Sequence, residues 1–74
     1  MIELKLHRKI YQGTAVDQAI KLYAKYATFE QREEPDYWVV AVTCTTPARE
    51  QRVAGEVANS ALGLTIASRK SDNG

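Results

Sequence analysis

Thr28–Thr45, TFEQREEPDYWVVAVTCT, decides how this chain folds. Its second half, Tyr37–Thr45, is β-branched and aromatic, and Pro35-Asp36 ahead of it is a turn signal. Thr28–Glu34 could be a loose helix end. Extended instead, it forms a hairpin with Tyr37–Thr45, and that is the reading adopted. The charges of TFEQREE suit an edge strand, where they discourage pairing with foreign chains. YWVVAVTCT is apolar on both sides, with Trp38, Val40, Val42 and Cys44 on one and Tyr37, Val39 and Ala41 on the other. A strand of that kind belongs in the centre of a sheet, its second face partly covered.

Working back from the hairpin, Ile2, Leu4, Leu6 and Ile10 alternate with Glu3, Lys5, His7 and Lys9. Period two predicts a half-buried strand with one wet face, and Arg8 marks where it leaves the core. Thr14 with Asp17 fits a helix start in which a hydroxyl and an acid three residues on serve free N–H groups. Val16, Ala19, Ile20, Tyr23, Ala24 and Ala27 then follow helical spacing, so a helix is expected over Thr14–Ala27.

Forward of the hairpin, Thr46-Pro47 opens a second helix, threonine as cap and proline in the first turn. Val53, Ala54, Val57, Ala58, Ala61 and Leu62 form its inner stripe. Gly63 reads as a stop, after which Leu64–Ser68 makes a short fourth strand. The alternative carries the helix through Leu64 to Lys70 with an interruption at Gly63. Ser68–Gly74, SRKSDNG, reads as a flexible polar tail, leaving residues 1–67 as one domain. The resulting order, β-α-β-β-α with a short terminal strand, is that of a ferredoxin-like split βαβ plan. It predicts an α+β two-layer sandwich, an antiparallel sheet with two helices on one face.

Seventy-four residues lie near the lower limit for a core that is stable alone. Cys44 is the only cysteine and His7 the only histidine, which rules out an intrachain disulfide and leaves too few ligands for structural zinc. Self-association is the remaining means of support. Ten Lys plus Arg stand against nine Asp plus Glu, so no global field draws in nucleic acid or an anionic membrane. No apolar run approaches the length of a membrane span, and MIELKLH is not a signal peptide. A cytoplasmic protein without a cofactor is expected.

His7 falls on the charged side of its strand with no second ligand or carboxylate set by local spacing. Cys44 is in phase with Trp38, Val40 and Val42 and reads as a small buried hydrophobe rather than a nucleophile. Glu30, Glu33, Glu34 and Asp36 surround a turn with Arg32 among them, which suits a solvated edge better than a metal site. Tyr37 beside Lys5, His7 and Lys9 has the look of an RNA-binding platform, but the aromatic signature of that fold is missing, and nucleic acid is not the expected partner. No phosphate loop, HExxH, CxxC or GxSxG is present.

Small residues carry the remaining signal. Ala54, Gly55, Ala58 and Ala61 in REQRVAGEVANSAL, Arg49–Leu62, imply something packed very close. A mid-helix glycine costs about 0.8–1 kcal/mol relative to alanine, so Gly55 calls for such a contact. Asn59, one turn on, can hydrogen-bond across it. Gly55, Asn59 and Tyr37 form the candidate interaction surface.

Ile10-Tyr11, Ala19-Ile20, Tyr23-Ala24 and Val57-Ala58-Asn59-Ser60-Ala61-Leu62 resemble the small D component of the His-Xaa-Ser system, the HxsD-like proteins. The resemblance spans about residues 2–62, and the family's longer helical continuation is not matched at the end. It implies an accessory role beside radical S-adenosylmethionine enzymes that modify a His-Xaa-Ser-repeat peptide. The chain itself has no CxxxCxxC cluster motif. The expected function is therefore a non-catalytic accessory or adaptor, a homodimer or a binder of protein or peptide. A small-ligand-binding regulatory domain is the alternative.

Overall fold

The computed structural model describes residues 1–73, of which 70–73 are described by their backbone only. The elements run β1 (Ile2–His7), α1 (Gly13–Tyr23), β2 (Thr28–Glu33), β3 (Tyr37–Thr43) and α2 (Pro47–Asn73). The sheet is antiparallel in the order β1-β3-β2, so the hairpin strand that is apolar on both sides does lie at the centre. Leu4 stands opposite Val40, and Gln31 stands opposite Val40 from the other side. Both helices cover one face. Leu6, Val40 and Val42 meet Val16 and Ala19 of α1 and Val53, Val57 and Ala61 of α2 in a single core.

Glu34 and Tyr37 close the hairpin, exchanging backbone hydrogen bonds of 2.9 and 3.4 Å around Pro35-Asp36. Thr46 caps α2 as expected, its Oγ1 accepting the Arg49 N–H at 3.3 Å. The first helix departs from expectation at both ends. It starts at Gly13 with Gln12 at the cap position and no side-chain cap, so Thr14 falls inside the helix, and Asp17 accepts from Gln31 of β2 at 2.8 Å. It stops at Tyr23, whose carbonyl accepts the Tyr26 N–H at 3.0 Å, so Ala24–Ala27 lead into β2 as a turn. Likewise β1 ends at His7, and Ile10, expected among its inner residues, is 50% exposed in the loop that follows.

The fourth strand does not form. Gly63 adopts no positive φ and α2 runs straight through it. Leu64–Ser68 continues the helical stripe rather than a period of two: Leu64 packs on the core and Thr65 is fully buried. The hydroxyl of Thr65 explains how a β-branched residue serves there. It donates to the Ala61 carbonyl at 2.8 Å and accepts the Gln12 N–H at 3.0 Å. Ser68–Asn73, read as a tail, stands in the last turns of α2, and Gly74 lies outside the described residues.

One joint fixes how the loop after β1 meets the sheet. The Trp38 indole donates to the Tyr11 carbonyl at 3.0 Å, and the Arg8 guanidinium lies 4.0 Å from the ring centroid. Arg8 also reaches the Glu33 carboxylate at 3.4 Å. Nothing local announces this cluster, since Arg8 and Tyr11 of the β1–α1 loop meet Glu33 of β2 and Trp38 of β3.

Candidate functional site

The three residues of the expected surface do not come together. Gly55 and Asn59 are exposed on α2, while Tyr37 lies on the sheet face turned away from the helices. A Cβ on Gly55 would meet nothing within 4 Å, so no contact among the described residues accounts for that glycine. The chemistry-bearing candidates hold structural posts. His7 accepts the Lys9 N–H on Nδ1 at 3.1 Å and stacks edge-on against Tyr37, ring centroids 5.2 Å apart. Cys44 is half-buried just past the end of β3, and its thiol donates to the Tyr26 carbonyl at 3.0 Å. Among the described residues no group of three or more His, Cys, Asp or Glu side chains gathers as a metal site.

The sheet face opposite the helices is built from Glu3, Lys5 and His7 of β1, Tyr37, Val39 and Ala41 of β3, and Glu30 and Arg32 of β2. Val39 is 1% exposed even though no helix covers it. It stands between Lys5 and Arg32 in register, long side chains whose apolar stems can shelter it. Arg32 bridges Glu3 at 3.5 Å and Glu34 at 3.1 Å, and these two carboxylates raise its pKa, the Glu34 hydrogen bond most of all. Lys5 lies 5.9 Å from the Tyr37 ring and, among the described residues, in no ion pair.

The two sheet edges differ in chemistry. On the helix side of β2, Gln31 and Glu33 follow Phe29, and both are tied to helix or loop partners, Asp17 and Arg8. Polar residues turned inward along a strand deter a further strand. The helix side of β1 is wholly apolar: Leu6 is buried, and Ile2 and Leu4 are only half-buried. A fourth strand of the split βαβ plan would return beside β1 after the second helix. Here α2 occupies that part of the chain, and among the described residues β1 pairs with β3 alone. The open side of β1 thus has no strand beside it among the described residues and lies next to the half-buried Ile2 and Leu4, while at its end the His7 carbonyl accepts from the Ile10 and Tyr11 N–H groups.

A second feature is a recess of about 660 Å³ between the end of α1 and the start of α2. Tyr23 and Tyr26 form its aromatic wall, and Lys25, Arg49 and Arg52 line it with one acid, Glu56. None of the three cations forms an ion pair among the described residues, and Arg52 does not pair with Glu56 one turn on. These charges come together because α1 stops at Tyr23 and the turn that follows brings Lys25 beside α2, where the sequence predicts helix to Ala27.

No helix among the described residues is long and apolar enough to cross a membrane. No protein-family model matches this chain, and no curated protein and no solved structure matches it significantly.

Proposed function

We propose that the protein is a non-catalytic accessory or adaptor that works by holding another polypeptide. The observation that carries this reading is the unfilled position beside β1. An extended segment laid there satisfies outward N–H and C=O groups of the strand through its own backbone, and its helix-side side chains cover the half-buried Ile2 and Leu4. The structural posts of His7 and Cys44 support a binding role over a chemical one. The resemblance to HxsD-like proteins makes a His-Xaa-Ser-repeat peptide the first segment to try, within a peptide-modification cassette.

The test is a titration of isotope-labelled protein with a synthetic His-Xaa-Ser-repeat peptide, followed by amide NMR shifts and hydrogen exchange. Amide shifts along residues 2–7, with β2 unchanged and exchange at β1 no faster than in the free protein, are the expected result. Shifts confined to α2, or none, would remove the peptide assignment.

The recess favours a second reading, a small-ligand regulatory domain. Three cations without an ion pair among the described residues, beside two tyrosines, suit an anionic ligand with a flat or apolar body. A thermal-shift screen with nucleotides and S-adenosylmethionine separates the two, since stabilisation abolished by Arg52→Ala belongs to the recess alone.

A further inference from the structure

Building on the binding-module reading, we infer that with no peptide bound the strand β1 takes up is β1 of a second copy of this chain. The outcome is a two-fold dimer with one continuous sheet.

Register supplies the first reason. A two-fold axis normal to the sheet pairs β1 with its copy antiparallel and keeps the helix-facing residues of both on one side. Three such registers bring the body of the strand together, centred on Glu3, Leu4 or Lys5. Centring on Glu3 sets two carboxylates opposite one another, and centring on Lys5 sets two ammonium groups opposite one another. Like charges directly across a strand pair are destabilising. Centring on Leu4 puts Leu4 against the partner's Leu4, Ile2 against the partner's Leu6, and Glu3 against the partner's Lys5 twice over. IELKL is self-complementary in that register alone. Lys5, in no ion pair among the described residues, gains a carboxylate. The same operation on β2, centred on Gln31, sets Phe29 against Glu33, so the other edge lacks this property.

The helix above supplies the second. On α2, Ser60 donates to the Tyr23 hydroxyl of α1 at 3.3 Å, and Val53 and Glu56 line the recess against the same tyrosine. At about 100° per residue the opposite flank of α2 carries Gln51, Gly55, Ala58 and Leu62. Asp17 of α1 hydrogen-bonds β2, whereas α2 packs on β1 and β3, so that opposite flank looks toward the open edge of β1. A helix over the β1–β3 seam lies about one strand spacing, ~4.8 Å, from the proposed axis. The two α2 helices then run roughly 10 Å apart, an ordinary helix-packing distance. Gly55 and Ala58 leave the room such an approach needs, and Leu62, 36% exposed, has a surface to cover. Gly55 therefore finds between copies the close neighbour that it lacks within the chain.

Sedimentation velocity and light scattering on the full chain, its Glu3→Lys, Lys5→Glu and Gly55→Leu variants, and an equimolar mixture of the first two test this. The wild type is expected to be a dimer, and each charge reversal to weaken association by about tenfold or more while circular dichroism stays unchanged. The mixture is expected to restore the dimer, since one variant then carries lysine at both positions 3 and 5 and faces glutamate at both positions of the other. Gly55→Leu, whose side chain enters open space in the single chain, is expected to fold and to lose association. A wild type that stays monomeric to millimolar concentration overturns the self-pairing yet leaves the peptide titration above to report on the edge. A dimer insensitive to both reversals, a mixture that fails to reassociate, or a Gly55→Leu dimer of unchanged affinity overturns this interface.

Discussion

A Cβ placed on Gly13 would lie 2.9 Å from Cζ2 of Trp38, closer than two carbon atoms tolerate. The indole cannot retreat freely. It donates to Tyr11 on one edge and carries the Arg8 guanidinium against its ring. Gly13→Ala is therefore expected to lower stability by about 1–3 kcal/mol through overpacking, despite alanine being the better helix former. Urea unfolding of the variant checks this, and an increase in stability would show that the ring moves aside without cost.

Thr65 joins the far half of α2 to the loop before α1. Thr65→Val keeps the shape but leaves the Gln12 N–H without its acceptor, at an expected cost of about 1–3 kcal/mol. Thr65→Ser retains the hydroxyl and should be the milder change. Equal losses in the two variants, read from paired thermal or urea denaturation, would assign the effect to the methyl group instead.

Gly63 separates a helix that continues from one that stops. In the continuing helix it faces open space with an ordinary φ, so Gly63→Ala should raise stability by about 0.5–1 kcal/mol. At a left-handed helix terminus the same change would be destabilising, and the sign of the shift in Tm decides between them.

Glu50 gives acid sensitivity a defined direction. It is 7% exposed, accepts the Cys44 N–H at 3.0 Å and lies 2.7 Å from the Met1 amine. The hydrogen bond to that amine, then the one from Cys44, holds its pKa below the usual carboxylate range. A depressed folded-state value means the contribution is fully present above the unfolded value of about 4.3 and is lost as pH falls through the folded value. Glu50→Gln should flatten the fall in Tm on the acid side relative to wild type. An identical acid limb in both proteins would place the sensitivity elsewhere.

How much of this was legible beforehand can be traced element by element. The strand phases of Ile2–His7 and Tyr37–Thr43 and the cap at Thr46 depend on residues next to one another, and they stand as read. The small-residue face of α2 was also visible, but not what it faces, because Gly55 has no neighbour inside the chain. The recess escaped notice since it depends on where α1 stops, and the Tyr23–Tyr26 turn competes with a helical pattern that runs on to Ala27.

By itself, then, the amino-acid sequence determined the order of the first five elements, the central place of β3 and the face that β1 buries. Periods of two and of 3.6 residues express a local geometry that needs no distant partner. Only the tertiary structure decided that Leu64–Ser68 is helix and that the place beside β1 stays open. Leu64-Thr65-Ile66 suits a strand on propensity, but Thr65 finds its acceptor one turn back at Ala61 and its donor 53 residues away at Gln12. A hydrogen bond across that separation outweighs a weak local preference, and among the described residues it leaves β1 paired with β3 alone.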